Sequence, residues 1–350
     1  MKKRKNKIFI GTRGSKLALY QSEWVKSELQ KLHPGLEIQL IKIKTTGDKI
    51  LDVPLAKIGG KGLFVKEIEE ALLKGKVDIA VHSMKDVPTD LPEGLHIAAI
   101  CKREDPRDAF VSQVKDLEFK IKNFKELPHG TTIGTSSLRR SCQLSHTRPD
   151  LKIKQLRGNL DTRIRKLDED QFQAIIVAVA GMKRLGRNER ITEILDPDIC
   201  LPAIGQGAIG IECRIDNESI NNIVKVLEHK ETSISVMAER SFLKRLEGGC
   251  QVPIAAFARI VSNSPVPPLT PLYPCPTDGR RAPLPRGELK GGGGGLLIMD
   301  GLVGSITGNR IIKGHIEGTP EISEVLGIKL AEDLLARGAK EILSEVYQVS

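Results

Sequence analysis

Short apolar runs alternate with amphipathic, helix-spaced segments from Lys7 to about His229, and this rhythm narrows the possible folds more than any other feature of the 350 residues. Lys7 to Gly11 reads as a strand. The helix after it repeats Leu17, Tyr20, Trp24, Leu29 and Leu32 at helical spacing until His33-Pro34-Gly35 stops it. A strand through Ile38, Leu40 and Ile43 follows, then a helix from Phe64 to Lys74 ended by Gly75, then the apolar strand Val77 to Val81. From about Asp108 the pattern starts again: strands Ala109 to Val111 and Thr131 to Gly134, a helix Ser136 to Ser145, a strand Leu151 to Leu156, a helix Leu160 to Leu167 and a strand Ala174 to Ala180. Such alternation predicts an α/β fold with a mostly parallel, doubly wound sheet covered by helices, here in two units.

Gly205 to Gly210 then leads into a strand, Ile209 to Cys213, and a helix from about Ser219 to His229. A third, smaller α+β unit follows. It has a helix Ser233 to Leu246 closed by Gly248-Gly249, strands Pro253 to Val261, Leu296 to Ser305 and Arg310 to Glu317, and a helix from Glu321. Ser262 to Gly295 breaks the rhythm: it holds eight of the nineteen prolines and ends in five glycines, a composition that cannot pack a core. It reads as an insertion between two strands that would otherwise form a hairpin.

The formal charge of +10 invites a nucleic-acid reading, but Lys2, Lys3, Arg4, Lys5 and Lys7 supply +5 and the insertion another +2, leaving +3 for the rest. Aromatic residues, at 3%, are too few for base-stacking platforms. Six cysteines without a C-x-x-C pair, and histidines without a cluster, argue against a zinc site or a disulfide framework. No secretory signal and no apolar run of bilayer length is visible, so a cytoplasmic protein is expected.

Arginines recur where strands run into helices: Arg13 in Gly-Thr-Arg-Gly-Ser, Arg139 and Arg140 in Gly-Thr-Ser-Ser-Leu-Arg-Arg, Arg157 and Arg163 in Leu-Arg-Gly-Asn-Leu-Asp-Thr-Arg. Those positions border the ligand crevice of a doubly wound sheet. Ser15, Ser136 and Ser137 suit helix N-caps, which would add a positive helix end to each cluster. Carboxylates or phosphates are the ligands that such groups grip. For any single arginine a solvated helix face is the plainer reading. Asp86 and Lys85, in His-Ser-Met-Lys-Asp-Val-Pro after an apolar strand, would sit at the mouth of the same crevice. Asp86 is either a turn former or a carboxylate that stabilises a cation and exchanges protons with it. Gly59-Gly60-Lys61-Gly62 lacks P-loop spacing and reads as a loop over the cleft, with Lys61 in reach of a carboxylate. Cys250, between two glycines and Gln251-Val252-Pro253, has an unobstructed sulfur that suits a nucleophile or an attachment point. Cys101, Cys142, Cys200 and Cys213 read as small apolar fillers.

Taken together, Thr12 to Ala18, Gly59 to Phe64, Val81 to Pro88, Gly134 to Arg140, Arg157-Gly158-Asn159 and Gly248-Gly249-Cys250 resemble the porphobilinogen deaminase (hydroxymethylbilane synthase) family from Ile8 to about Arg259 and again from Leu296. The resemblance implies two domains like the halves of a periplasmic binding protein, 1–104 with 206–229 and 105–205, and a cofactor-carrying third domain, 230–350, interrupted at 262–295. It implies a monomer whose dipyrromethane cofactor is joined to Cys250 by a thioether. Asp86 would then be the catalytic carboxylate that assists ammonia loss from porphobilinogen and stabilises the azafulvene-type cation. Four such rounds would precede hydrolytic release of hydroxymethylbilane. Lys85, Arg139, Arg140, Thr135, Ser136 and Ser137 would hold the cofactor, and Arg13, Ser15, Arg157, Arg163, Arg184, Lys61 and Phe64 the substrate. Two alternatives compete: a non-catalytic organic-anion receptor on the same scaffold, needing neither Asp86 nor Cys250, and a nucleic-acid binder with strongly salt-dependent affinity.

Overall fold

Ile8 and Ile10, two apart and both buried, set the inward face of β1 (Lys7–Thr12). The structure is a computed structural model that describes residues 7–49, 64–113, 121–248, 252–261 and 295–349. Lys61, Cys250 and nearly all of the 262–295 insertion lie outside the described residues. Helix α1 (Lys16–Leu32) starts where the Ser15 hydroxyl accepts a hydrogen bond from the Ala18 N–H, and it buries Val25 and Leu29 against the sheet. β2 (Glu37–Lys42), α2 (Thr46–Lys49), α3 (Lys66–Leu73), β3 (Ile79–Ser83) and β4 (Leu95–Ile100) follow. The chain then gives β5 (Asp108–Ser112), β6 (Thr132–Gly134), α4 (Leu138–Thr147), β7 (Lys152–Lys154), α5 (Leu160–Asp168), β8 (Ala174–Ala178), α6 (Val179–Arg184) and β9 (Glu193–Ile194). It ends with β10 (Ile209–Arg214), α7 (Glu218–Lys225), α8 (Lys230–Arg245), β11 (Ile254–Val261), β12 (Leu296–Gly304), β13 (Ile311–Gly318), α9 (Ser323–Leu334) and α10 (Lys340–Val349).

Two five-stranded sheets share one plan. The first runs β2-β1-β3-β10-β4, with β1 parallel to β2 and β3, and β10 antiparallel to β3 and β4. The second runs β7-β6-β8-β5-β9, with β6 parallel to β7 and β8, and β5 antiparallel to β8 and β9. Each sheet thus receives one antiparallel strand at the point where the chain crosses over from the other, through residues 101–107 and 195–208. The sequence reading of a mostly parallel sheet fits both, but it missed β4, whose alternation is blurred by His96 and by a register shift opposite Ile211 and Glu212. It also ran β8 on to Ala180, whereas Val179 and Ala180 open a helix. Gly207, at φ +89°, lets the two crossovers pass each other closely, since a Cβ there would run into the Glu104 carbonyl.

The third sheet, β11-β12-β13, is wholly antiparallel and buries one face under α8 and α9 around Phe242, Met299, Val303, Leu330 and Leu334. Gly327 brings α9 against the α8 backbone, where any side chain would meet the Ala238 carbonyl. Val261 and Leu296 are paired neighbours across β11 and β12, so the chain leaves the sheet and returns at one point.

Candidate active site

The strand ends deliver the polar residues. β1 runs into Arg13 and Ser15, β3 into the one-turn helix Met84–Asp86, and β8 into α6, whose last residue is Arg184. These segments line a cleft with about 670 Å³ of empty space, part of it open to solvent. Arg13, Ser15, Phe64, Lys85, Asp86 and Arg184 all face it. Gln21, His82 and Gln206 line it too, and the sequence reading did not single them out. Gln21 was legible only as a polar residue on the buried face of an amphipathic helix. Asp86 is exposed and is the one carboxylate among the described lining residues.

Arg13 stacks on Phe64, its guanidinium carbon 4.2 Å from the ring centroid. Lys85 Nζ lies 3.4 Å from Gln206 Oε1, and desolvation pushes the ammonium down to about 8, while the neighbouring Asp86 charge pulls it up. Arg184 donates to the Gly207 carbonyl at 2.6 Å, and burial lowers its pKa. Arg163 donates to the Gly158 carbonyl at 2.9 Å. Burial, followed by the charge of Arg140, pushes Arg163 down to about 10; Asp86 acts in the opposite sense. Arg157 reaches Gln155.

Arg139 and Arg140 are placed differently from the sequence expectation. Both are buried, and both clamp Asp108: Arg139 Nη1 to one carboxylate oxygen and Arg140 Nη2 to the other, each at 2.7 Å. Burial alone would raise the Asp108 pKa, but the two guanidinium groups override it and hold the carboxyl well below the usual range. Gln206 Nε2 adds a third hydrogen bond to Asp108 at 2.9 Å and so joins this cluster to Lys85. Thr135 Oγ1 accepts from the Ser137 N–H, Ser136 donates to the Leu156 carbonyl, and only Ser137 caps α4. Cys101, Cys142 and Cys200 are buried, and desolvation pushes each thiol up to about 12; Cys200 is not an apolar filler, since its Sγ donates to Asp108 Oδ2 at 3.3 Å inside the arginine cluster.

Charge is therefore out of balance. Among the described residues, Lys85 feels Arg139 and Arg140, and Arg163 feels Arg140 and Arg157, with Asp86 and Asp108 as the opposing charges. Arg140 Nε is buried without a hydrogen-bond partner among the described residues. Burying surplus positive charge is costly unless an anion arrives. Fold and cleft together define a two-lobed α/β protein whose cleft is lined by cations beside one exposed carboxylate.

The family model for the porphobilinogen deaminase dipyromethane cofactor binding domain matches residues 8–222, and that for the porphobilinogen deaminase C-terminal domain matches 233–272. The porphobilinogen deaminase of Geobacter sulfurreducens is 51% identical over 98% of this chain and 96% of its own length; that of Geotalea uraniireducens is 52% identical over 97% and 94%. Among solved structures, the Bordetella pertussis BvgS periplasmic domain aligns with a TM-score of 0.38 at 16% identity, over 71% of this chain and 44% of that one. The periplasmic aliphatic sulphonate binding protein SsuA from Escherichia coli aligns with a TM-score of 0.37 at 12% identity, over 69% and 71%. The chain belongs to the porphobilinogen deaminase family, transferases of tetrapyrrole biosynthesis. The residues present fit a dipyrromethane, whose acidic side chains match the surplus of desolvated cations and the orphan Arg140 donor. No helix among the described residues is long and apolar enough to cross a membrane.

Proposed function

We propose that Asp86 handles the reacting pyrrole, that Cys250 carries the dipyrromethane through a thioether, and that the cleft cations hold the acetate and propionate groups of the growing chain. The reaction is condensation of four porphobilinogen molecules, each with loss of ammonia, followed by hydrolytic release of hydroxymethylbilane. One observation carries the reading: Asp86 is exposed at the end of β3 in a cleft whose other charged lining residues, Arg13, Lys85 and Arg184, are cations. A carboxylate there accepts a pyrrole N–H and offsets the positive charge that develops as ammonia departs. When bound, the dipyrromethane supplies the free α-carbon to which the next pyrrole is joined.

Arg13 and Arg184 approach from β1 and α6, on opposite sheets, so a carboxylate chain between them is held by both lobes. Each charge-assisted hydrogen bond adds about 1.5–3 kcal/mol. Arg157 and Arg163 extend the cationic surface, with Lys61 and the Ser15 hydroxyl as further donors. Arg139, Arg140 and Lys85 hold the cofactor from the Asp108 side, with Thr135, Ser136 and Ser137 as neutral donors. We take 1–104 with 206–229, 105–205 and 230–350 as three domains, in line with the three sheets and the paired crossovers, and the working unit as a cytoplasmic monomer. Intact-mass measurement of the purified protein tests the reading: an adduct of two linked pyrrole units is expected, absent from Cys250→Ser. An unmodified yet active parent chain would sink it.

A further inference from the structure

The cleft wall contains a second set of ionisable side chains that the roles above leave unused. His82, four residues before Asp86 on β3, lines the cleft, and its Nε2 lies 2.9 Å from Glu212 Oε2 on β10. The two side chains are 5% and 1% exposed. Glu69, on α3, is buried and within the electrostatic reach of both. Two carboxylates and one imidazole thus share a space largely closed to water. Helix α1, packed on β3, contributes the buried but neutral Gln21 and Ser22. Gln21 Nε2, Ser22 Oγ and Glu212 Oε1 find no hydrogen-bond partner among the described residues.

With both carboxylates ionised, the trio would carry a net negative charge whichever form His82 takes, with two anions side by side, which a low-dielectric site resists. A proton is retained instead. Burial first, then the charge of Glu212, pushes the Glu69 carboxyl up to about 7, against the opposing pull of His82.

The reaction has a use for such a set. Each addition breaks a C–N bond of the incoming porphobilinogen and a ring C–H bond, forms one C–C bond, and leaves the ring proton on the departing ammonia. No oxidant or reductant enters. The proton has to travel from carbon to nitrogen in a cleft where Asp86 is the one described carboxylate. We propose that Glu69, His82 and Glu212 form a buried proton store for this transfer, with His82 as its face to the cleft. The proposal rests on the assigned reaction.

Infrared titration of the cofactor-loaded protein tests it without turnover. A protonated-carboxyl band that is lost around pH 7 is expected, and Glu69→Gln should abolish it. In the same variant, with unchanged cofactor mass and cooperative unfolding, the near-neutral limb of the kcat profile should move by about one pH unit or vanish, with KM unchanged. A parent spectrum without that band, or a Glu69→Gln kcat profile superimposable on the parent's, overturns the proposal. Should Glu69→Gln not fold, Glu212→Gln serves in its place: the loss of one anion should move the parent band to lower pH, and an unmoved band overturns the proposal. Failure of the parent to consume porphobilinogen would overturn the assigned reaction instead, and the spectrum separates the two failures.

Discussion

Arg139 Nη1 lies 2.7 Å from Asp108 Oδ2, and it also donates to the Leu201 carbonyl, so this buried arginine is fixed by a carboxylate with no exposed surface. Arg140 takes the other Asp108 oxygen and keeps Nε without a partner among the described residues. Removing the carboxylate leaves two buried guanidinium groups uncompensated. Asp108→Ala is expected to lose about 3–5 kcal/mol of stability in urea unfolding. It should also lower the fraction of protein carrying the dipyrromethane mass, because the arginines lose their fixed geometry. Normal stability with full loading would refute the positioning role.

Asp86 is exposed and makes no fold-critical burial. Asp86→Asn should therefore leave the unfolding midpoint within experimental error while lowering kcat by about 10²–10⁴-fold, the range for a positioned acid–base group. Single-turnover measurement of ammonia release checks it. Near-normal release would reassign the residue to a turn former.

Phe64 and Arg13 form a stacked pair at the cleft, 4.2 Å from guanidinium carbon to ring centroid. Phe64→Leu removes the ring face but keeps apolar bulk, so about 0.5–2 kcal/mol of guanidinium orientation is lost. KM for porphobilinogen should rise several-fold with kcat nearly unchanged. A fall in kcat at constant KM would place Phe64 at the chemical step instead.

Glu69 gives a pH dependence of stability whose sign follows from its raised pKa. The folded state holds the proton up to about 7, whereas a glutamate in the unfolded chain releases it near 4.5. Stability is full below the lower value and falls as pH rises between the two, by about 3 kcal/mol at most. Glu69→Gln should flatten that slope, so its stability relative to the parent should improve from pH 5 to pH 8 in urea unfolding. A parallel pair of pH curves would contradict the burial of the carboxyl.

The strand–helix order was readable because buried positions recur at two- and four-residue intervals, as in Ile8, Ile10, Val25 and Leu29. Arg13, Ser15, Lys85 and Asp86 were readable because each follows a strand directly. Long-range partners were not. His82 and Glu212 are 130 residues apart, and Arg139 and Asp108 are 31 apart, separations at which periodicity carries no information. Arg139 and Arg140 looked like ligand-facing groups for the same reason: only the antiparallel insertion of β5 beside β8 brings Asp108 beneath them. The acid at the first position of an apolar strand was the available clue. It reads equally well as a surface residue until the sheet order is known.

The pairing of Val261 with Leu296 has a practical reading. Every register pair from Ile254 with Val303 to Val261 with Leu296 is kept, so β11 and β12 stay in register right up to the point where the chain leaves and re-enters the sheet. The junction lies at the C-terminal end of β11, roughly 25 Å along eight strand residues from Ile254. It is therefore a docking port in the engineering sense. A fluorescent or affinity module with adjoining termini can be spliced in there and ride on the enzyme without breaking the sheet.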